Sequence, residues 1–255
     1  MDAADGSQKT VPFCLHWPCL LDRNAMQSLS RPALLLLDAG NTLVYLDHDV
    51  LARLAAEVGL DVTAVRLRQG EATAKRRYEE LMARGVSHEA GWDLYMRVVY
   101  ESAGLDGEQA LRATEAARAE HDVFNLWRKV PAGLVDALQR ARASGMRLGV
   151  VSNSEGKLAA LLVRVGLMEL LELVVDSGLE GVRKPDPEIF HRALGRLGVA
   201  ADQALYAGDI PNVDVVGARA AGLEAVLIDT LDHYPTFQDA PRFHSVTALL
   251  KAMGI

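Results

Sequence analysis

A continuous apolar run, Leu34-Leu35-Leu36-Leu37, stops at Asp38, which is the pattern of a central parallel strand buried on both faces. From Asp49 to about Lys129 strand patterns are absent and helical spacing takes over, with breaks at Gly59, Gly70, Gly85 and Gly104-Leu105-Asp106-Gly107. Four helices fit this block: one through Val50, Leu51, Leu54 and Val58, one containing Val62, Val65 and later Tyr78 and Leu81, one with Trp92, Tyr95, Met96 and Val99 on a single stripe, and one from Leu111 to Trp127. Such an apolar stripe predicts packing against neighbouring helices rather than a cofactor site.

After Pro131 helix and strand alternate. Helices are predicted over Ala132–Ser144, Lys157–Val165, Pro187–Leu197, Asp214–Ala221 and Val246–Met253, and strands over Leu148–Ser152, Leu173–Asp176, Ala204–Ala207 and Ala225–Ile228. That order implies an α/β fold with a doubly wound parallel sheet, the last helix covering one edge. The expected organisation is a poorly ordered extension over residues 1–30, an α/β core from residues 31–48 and 130–255, and a helical block over residues 49–129.

Composition narrows the function classes. Of 255 residues, 50% are hydrophobic and 24% charged, which excludes disorder throughout. A net charge of −7 argues against nucleic acid or anionic lipid as a general partner. Cys14 and Cys19 are the chain's two cysteines, so neither a disulfide-built fold nor a cysteine metal site is expected. No segment reaches the ~18 apolar residues of a membrane span, and Asp2 and Asp5 stand where a secretory signal carries basic residues. A cytoplasmic location is expected.

In an open parallel sheet, ligands bind beyond the carboxyl ends of the strands. Asp38, Ser152 and Asp209 end predicted strands, Lys184 follows a fourth, and Asp214 lies five residues past Asp209. Carboxylates suit a hard divalent cation; a hydroxyl and an ammonium suit the oxygens of an anion. Taken singly, each has a plainer reading: Asp38 and Asp209 as turn residues, Ser152 or Asp214 as a helix cap, Lys184 as a solvated lysine. Pro185, Asp186 and Pro187 favour a fixed launch point for Lys184, because they read as an extended residue, an N-cap and a first helical residue. The segment Gly217 to Gly222 has half the glycine spacing of a phosphate loop without its Lys-Ser/Thr, and no nucleotide role is assigned to it.

Four segments together carry a family resemblance. Asp38-Ala39-Gly40-Asn41-Thr42-Leu43, Val150-Val151-Ser152-Asn153, Gly181-Val182-Arg183-Lys184-Pro185-Asp186-Pro187 and Gly208-Asp209-Ile210-Pro211-Asn212-Val213-Asp214 resemble, in order, the motifs of the haloacid dehalogenase (HAD) superfamily. The resemblance covers about residues 32–230 and implies a Rossmann-like core with an inserted all-helical cap. It implies a magnesium-dependent hydrolase of small phosphorylated molecules, in which Asp38 is the nucleophile and forms an aspartyl phosphate. Ser152, Asn153 and Lys184 would hold the transferring group, with Lys184 neutralising its charge. Asp38, Asp209, Asp214 and the backbone carbonyl of Gly40 would hold Mg2+.

One position departs from that pattern. Phosphatases of the superfamily usually carry a second Asp two residues after the nucleophile as general acid and base, and here that residue is Gly40. Loss of such a group removes on the order of 10²–10⁴ of rate. Three readings follow: a phosphohydrolase that is slow, acts on good leaving groups or uses a surrogate acid such as His48; a non-phosphate member, either a dehalogenase or a phosphonate hydrolase; or a binding protein that has lost hydrolysis. A phosphonate hydrolase needs a Schiff-base lysine from the helical block, where Lys75, beside Arg76 and Arg77, reads as part of a solvated basic face.

Overall fold

A computed structural model describes residues 31–84 and 88–255; the expected extension over residues 1–30 and the break at Gly85 lie outside the described residues. Strand β1 (Leu34–Leu37) is fully buried. Its side chains alternate between two layers, Leu35 and Leu37 facing one apolar cluster and Leu34 and Leu36 another, as the period of two requires. Around it lie β4 (Arg147–Ser152), β5 (Leu173–Asp176), β6 (Ala204–Gly208), β7 (Glu224–Ile228) and the short β8 (Arg242–Phe243). The order is β5-β4-β1-β6-β7-β8, a six-stranded sheet with every pairing parallel.

One face is covered by α5 (Leu134–Ala143), α6 (Leu158–Arg164) and α10 (Val246–Ala252), the other by α8 (Pro187–Leu197) and α9 (Val216–Ala220). A single-turn α7 (Ser177–Glu180) follows β5. The fold is thus the α/β, doubly wound class that the alternation predicts. The edge expected to be covered by the last helix is taken by β8, and α10 lies on the face beside α5.

The helical block comprises α1 (His48–Glu57), α2 (Ala64–Ala83), α3 (His88–Ser102) and α4 (Gly107–Val123), packed round a separate apolar cluster that includes Leu51, Leu67, Trp92, Met96 and Tyr100. Two local expectations are corrected. Helix α2 runs through Gly70 without a break, because this glycine serves close packing: a Cβ there would lie 2.7 Å from the Val99 carbonyl oxygen of α3. The last helix stops at Val123, short of Trp127, which begins β3 (Trp127–Lys129) and pairs antiparallel with β2 (Tyr45–Leu46). Strands this short carry no alternation to read. No helix among the described residues is long and apolar enough to cross a membrane.

Candidate active site

Strand register brings the site together. Leu37 pairs with Val150 on one side and Ala207 on the other, so Asp38 lies one residue beyond this row, and Ser152 and Asp209 two. Asp38 continues the ladder through its N–H to the Ala207 carbonyl at 2.8 Å. A π-helical turn over Pro211–Val215 follows β6 and carries Asp214 back toward the strand ends. Gly208 makes room for it: a Cβ there would stand 2.3 Å from Asp214 Cγ.

Lys184 reaches this cluster from the segment before α8, where Asp186 caps the helix by accepting from the Glu188 N–H at 2.9 Å. Its backbone is clamped by Asn153, whose Oδ1 accepts from Lys184 N–H at 2.8 Å and whose Nδ2 donates to the Lys184 carbonyl at 2.9 Å. The ammonium donates to Asp38 Oδ1, Asp214 Oδ1 and the Tyr206 hydroxyl oxygen, each at 2.7 Å. All its N–H groups are therefore committed. Ser152 is buried at the end of β4. The loop after it is held by Asp176, which accepts from the N–H groups of Gly156, Leu158 and Gly178. The cap reading of Ser152 thus gives way, since Asp176 takes the backbone donors at the entry to α6.

Lys75 overturns the expectation of a solvated basic face. It is 5% exposed, and its ammonium lies 2.7 Å from Asp209 Oδ2 and donates to the Asp209 carbonyl at 2.9 Å. Arg76 and Arg77 are exposed as expected, but successive helical residues point about 100° apart. Lys75 instead shares a face with Glu71, Tyr78 and Glu79, at offsets of three and four. Polar residues at that spacing, Glu71-Lys75-Glu79, were the available signal. Asn41 joins the cluster through its Nδ2, which donates to Asp209 Oδ2 at 3.3 Å, and its Oδ1, which accepts from Trp127 Nε1 at 3.1 Å. Its φ of 53° is left-handed, a conformation asparagine tolerates better than most residues.

Asp38, Asp209 and Asp214 are buried, and one oxygen of each lies within 4.8 Å of the others. Burial, together with the like charges of Asp214 and Asp209, raises the Asp38 pKa to about 6 against the opposing pull of Lys184. Burial also raises that of Asp209 despite Lys75. Burial opposes the charge of Lys184, yet Asp214 and Asp38 outweigh it and hold its pKa above the usual lysine value. Three carboxylates facing two ammoniums leave an excess of negative charge in a hard-oxygen donor set, and such a set fits a divalent cation.

The cluster lines a cavity of about 640 Å3 that Trp92, Tyr95, His121 and Trp127 also line. Gly40 also lines it. Gly40 lies outside the left-handed region, and a Cβ there would meet Trp127 Cδ1 at 3.8 Å, an ordinary contact. His48 lies elsewhere: it pairs with Glu71 at 2.9 Å and lines a neighbouring cavity of about 270 Å3.

A family model described as haloacid dehalogenase-like hydrolase matches residues 32–222. The phosphoserine phosphatase of Thermus thermophilus is 32% identical over 223 residues, covering 77% of this chain and 88% of that protein. The haloacid dehalogenase-like hydrolase domain-containing protein 3 of Bos taurus is 30% identical over 229 residues, covering 85% and 90% respectively. A HAD-hydrolase of Bacillus subtilis, YfnB, solved bound to magnesium, superposes with a TM-score of 0.62 at 19% identity over 89% of this chain and 100% of that one. At that identity the likeness concerns the fold alone.

Proposed function

The chain belongs to the haloacid dehalogenase-like hydrolase family, and from that premise we propose that it is a magnesium-dependent phosphohydrolase acting on a small phosphorylated molecule through an aspartyl phosphate on Asp38. The observation that carries this reading is the convergence of Asp38, Asp209, Asp214 and Lys184 at one end of the sheet, where they line a ligand-sized cavity. Its relatives include a protein named phosphoserine phosphatase, which favours phosphate over halide. Residues 49–129 would be the cap over a core formed by residues 31–48 and 130–255.

When bound by Asp38, Asp209, Asp214 and the Gly40 carbonyl, Mg2+ would supply positive charge to the transferring phosphoryl group. Asp38 attacks phosphorus; the bond to the leaving oxygen breaks with its electron pair; water then cleaves the acyl phosphate to give inorganic phosphate and restore Asp38. Lys184, held by Asn153, balances charge on Asp38 and on the arriving anion, and Ser152 donates to a phosphoryl oxygen. Gly40 moves no proton. Lys75 is committed to Asp209, whose carboxylate, against the cost of burial, keeps its amine protonated; a phosphonate hydrolase would need that amine free.

Release of phosphate from acetyl phosphate, with and without magnesium, tests the proposal. Turnover is expected with magnesium and should vanish in Asp38→Asn. Magnesium should also raise the thermal midpoint of wild type through linkage and leave Asp209→Asn unmoved. Equal stabilisation of both proteins would overturn the metal assignment.

A further inference from the structure

Part of the cavity's lining is built of rings. Tyr95 and Trp127 have centroids 5.5 Å apart, Trp92 and His121 5.0 Å, and His121 and Trp127 6.2 Å, so these side chains form one continuous wall. Three of the four rings have a polar atom engaged by the protein, and Trp92 Nε1 is buried without a partner among the described residues. Trp127 Nε1 donates to Asn41, the Tyr95 hydroxyl donates to Glu71 at 3.0 Å, and His121 Nδ1 accepts from Leu126 N–H at 3.2 Å. What this wall offers a ligand is chiefly aromatic carbon. The buried lysines of the cavity are taken as well, Lys75 by Asp209 and Lys184 by Asp38 and Asp214. The exposed Arg183 is the cavity's remaining lining lysine or arginine, and Asn125, Ser154 and Asn212 add uncharged polar side chains to the lining.

The residue two after Asp38 points the same way. Gly40 offers no carboxylate to protonate a departing oxygen, and the direction its side chain would take leads to Trp127 Cδ1, 3.8 Å from the Cβ position. A leaving group that departs as a delocalised anion does not need that proton in the transition state. A ring oxygen satisfies both the wall and the missing acid.

Resting on the phosphohydrolase reading above, we propose that the wall of Trp92, Tyr95, His121 and Trp127 binds a flat, unsaturated leaving group, and that the substrates are phosphate monoesters of phenolic or heteroaromatic hydroxyls. In the first step the Asp38 oxygen bonds to phosphorus and the bond from phosphorus to the aryl oxygen breaks. The electron pair leaves with the aryl oxide, which takes its proton from water. Hydrolysis of the acyl phosphate then consumes one water per turnover.

The test uses the full chain with magnesium and two probes that cannot be hydrolysed, phenylphosphonate and cyclohexylphosphonate. Their binding is followed by tryptophan fluorescence and, separately, by competition against acetyl phosphate turnover. Phenylphosphonate is expected to bind about tenfold more tightly, and Trp127→Leu or Trp92→Leu to bring that ratio close to one. Phenyl phosphate should also be turned over faster than phosphoserine. Equal binding of the two phosphonates to wild type overturns the inference whether or not either variant folds, and so does a preference for phosphoserine. Absence of acetyl phosphate turnover alongside an intact fluorescence preference overturns the phosphohydrolase reading and leaves the ring wall standing.

Discussion

Lys184 illustrates what one residue contributes here and how much of it was readable. Its position before Pro185, Asp186 and Pro187 marked it as a fixed side chain, and the helix start it implied is present, with Asp186 as the cap. Asp38, Ser152, Asp209 and Asp214 were legible for a related reason: strand ends in a parallel sheet point to one rim, and apolar runs mark where strands end. Tyr206 and Asn41 were not legible. Tyr206 sits inside a buried strand, and nothing in its neighbours distinguishes a tyrosine that meets an ammonium from one that fills the core. At this scale Gly40 carries a prediction. Because its backbone is not left-handed and a Cβ fits, Gly40→Asp should fold, and alkyl phosphate turnover should rise by up to ~10²-fold, the low end of general acid catalysis. The gain on aryl phosphates should be smaller. A wild type that already hydrolyses both classes equally fast would show that the proton comes from elsewhere.

At the scale of elements, α2 is the informative case. Its interior glycine suggested a break, yet helix propensity costs only about 1 kcal/mol for glycine against alanine, and contact with α3 outweighs that. The Val99 carbonyl oxygen and Ser102 Cβ stand 2.7 and 3.0 Å from a Cβ built at Gly70. Gly70→Ala should therefore destabilise the protein despite improving propensity. Overpacking costs ~1–3 kcal/mol, so after the propensity gain of about 1 kcal/mol the net loss in chemical denaturation should be up to about 2 kcal/mol. A stabilised variant would mean that α2 and α3 separate freely. The short strands β2, β3 and β8 escaped the sequence reading because two or three residues cannot show alternation, and pairing partners far along the chain decide them.

Across the whole molecule, the helical block and the sheet meet through polar contacts, two of which end on Asp209. Lys75 of α2 holds Asp209, Asn41 links Asp209 to Trp127, and Glu79 of α2 accepts from the Tyr234 hydroxyl of the loop after β7. Removing one member of a buried ion pair costs ~3–5 kcal/mol, so Lys75→Met should lower the thermal midpoint of the metal-free protein. It should also tighten magnesium binding, by about tenfold or more, because an ammonium no longer competes for Asp209. Calorimetric titration checks this; unchanged affinity would show that Lys75 and the cation do not share that carboxylate.

The proposed function requires that Asp38 becomes phosphorylated. Incubating the protein with acetyl phosphate and magnesium, then reducing with borohydride, converts an acyl phosphate into homoserine that peptide mass spectrometry can locate. Homoserine is expected at position 38 in wild type, and none in Asp38→Asn or without magnesium. Unmodified Asp38 in a folded, magnesium-bound wild type, or homoserine at another carboxylate, would contradict it.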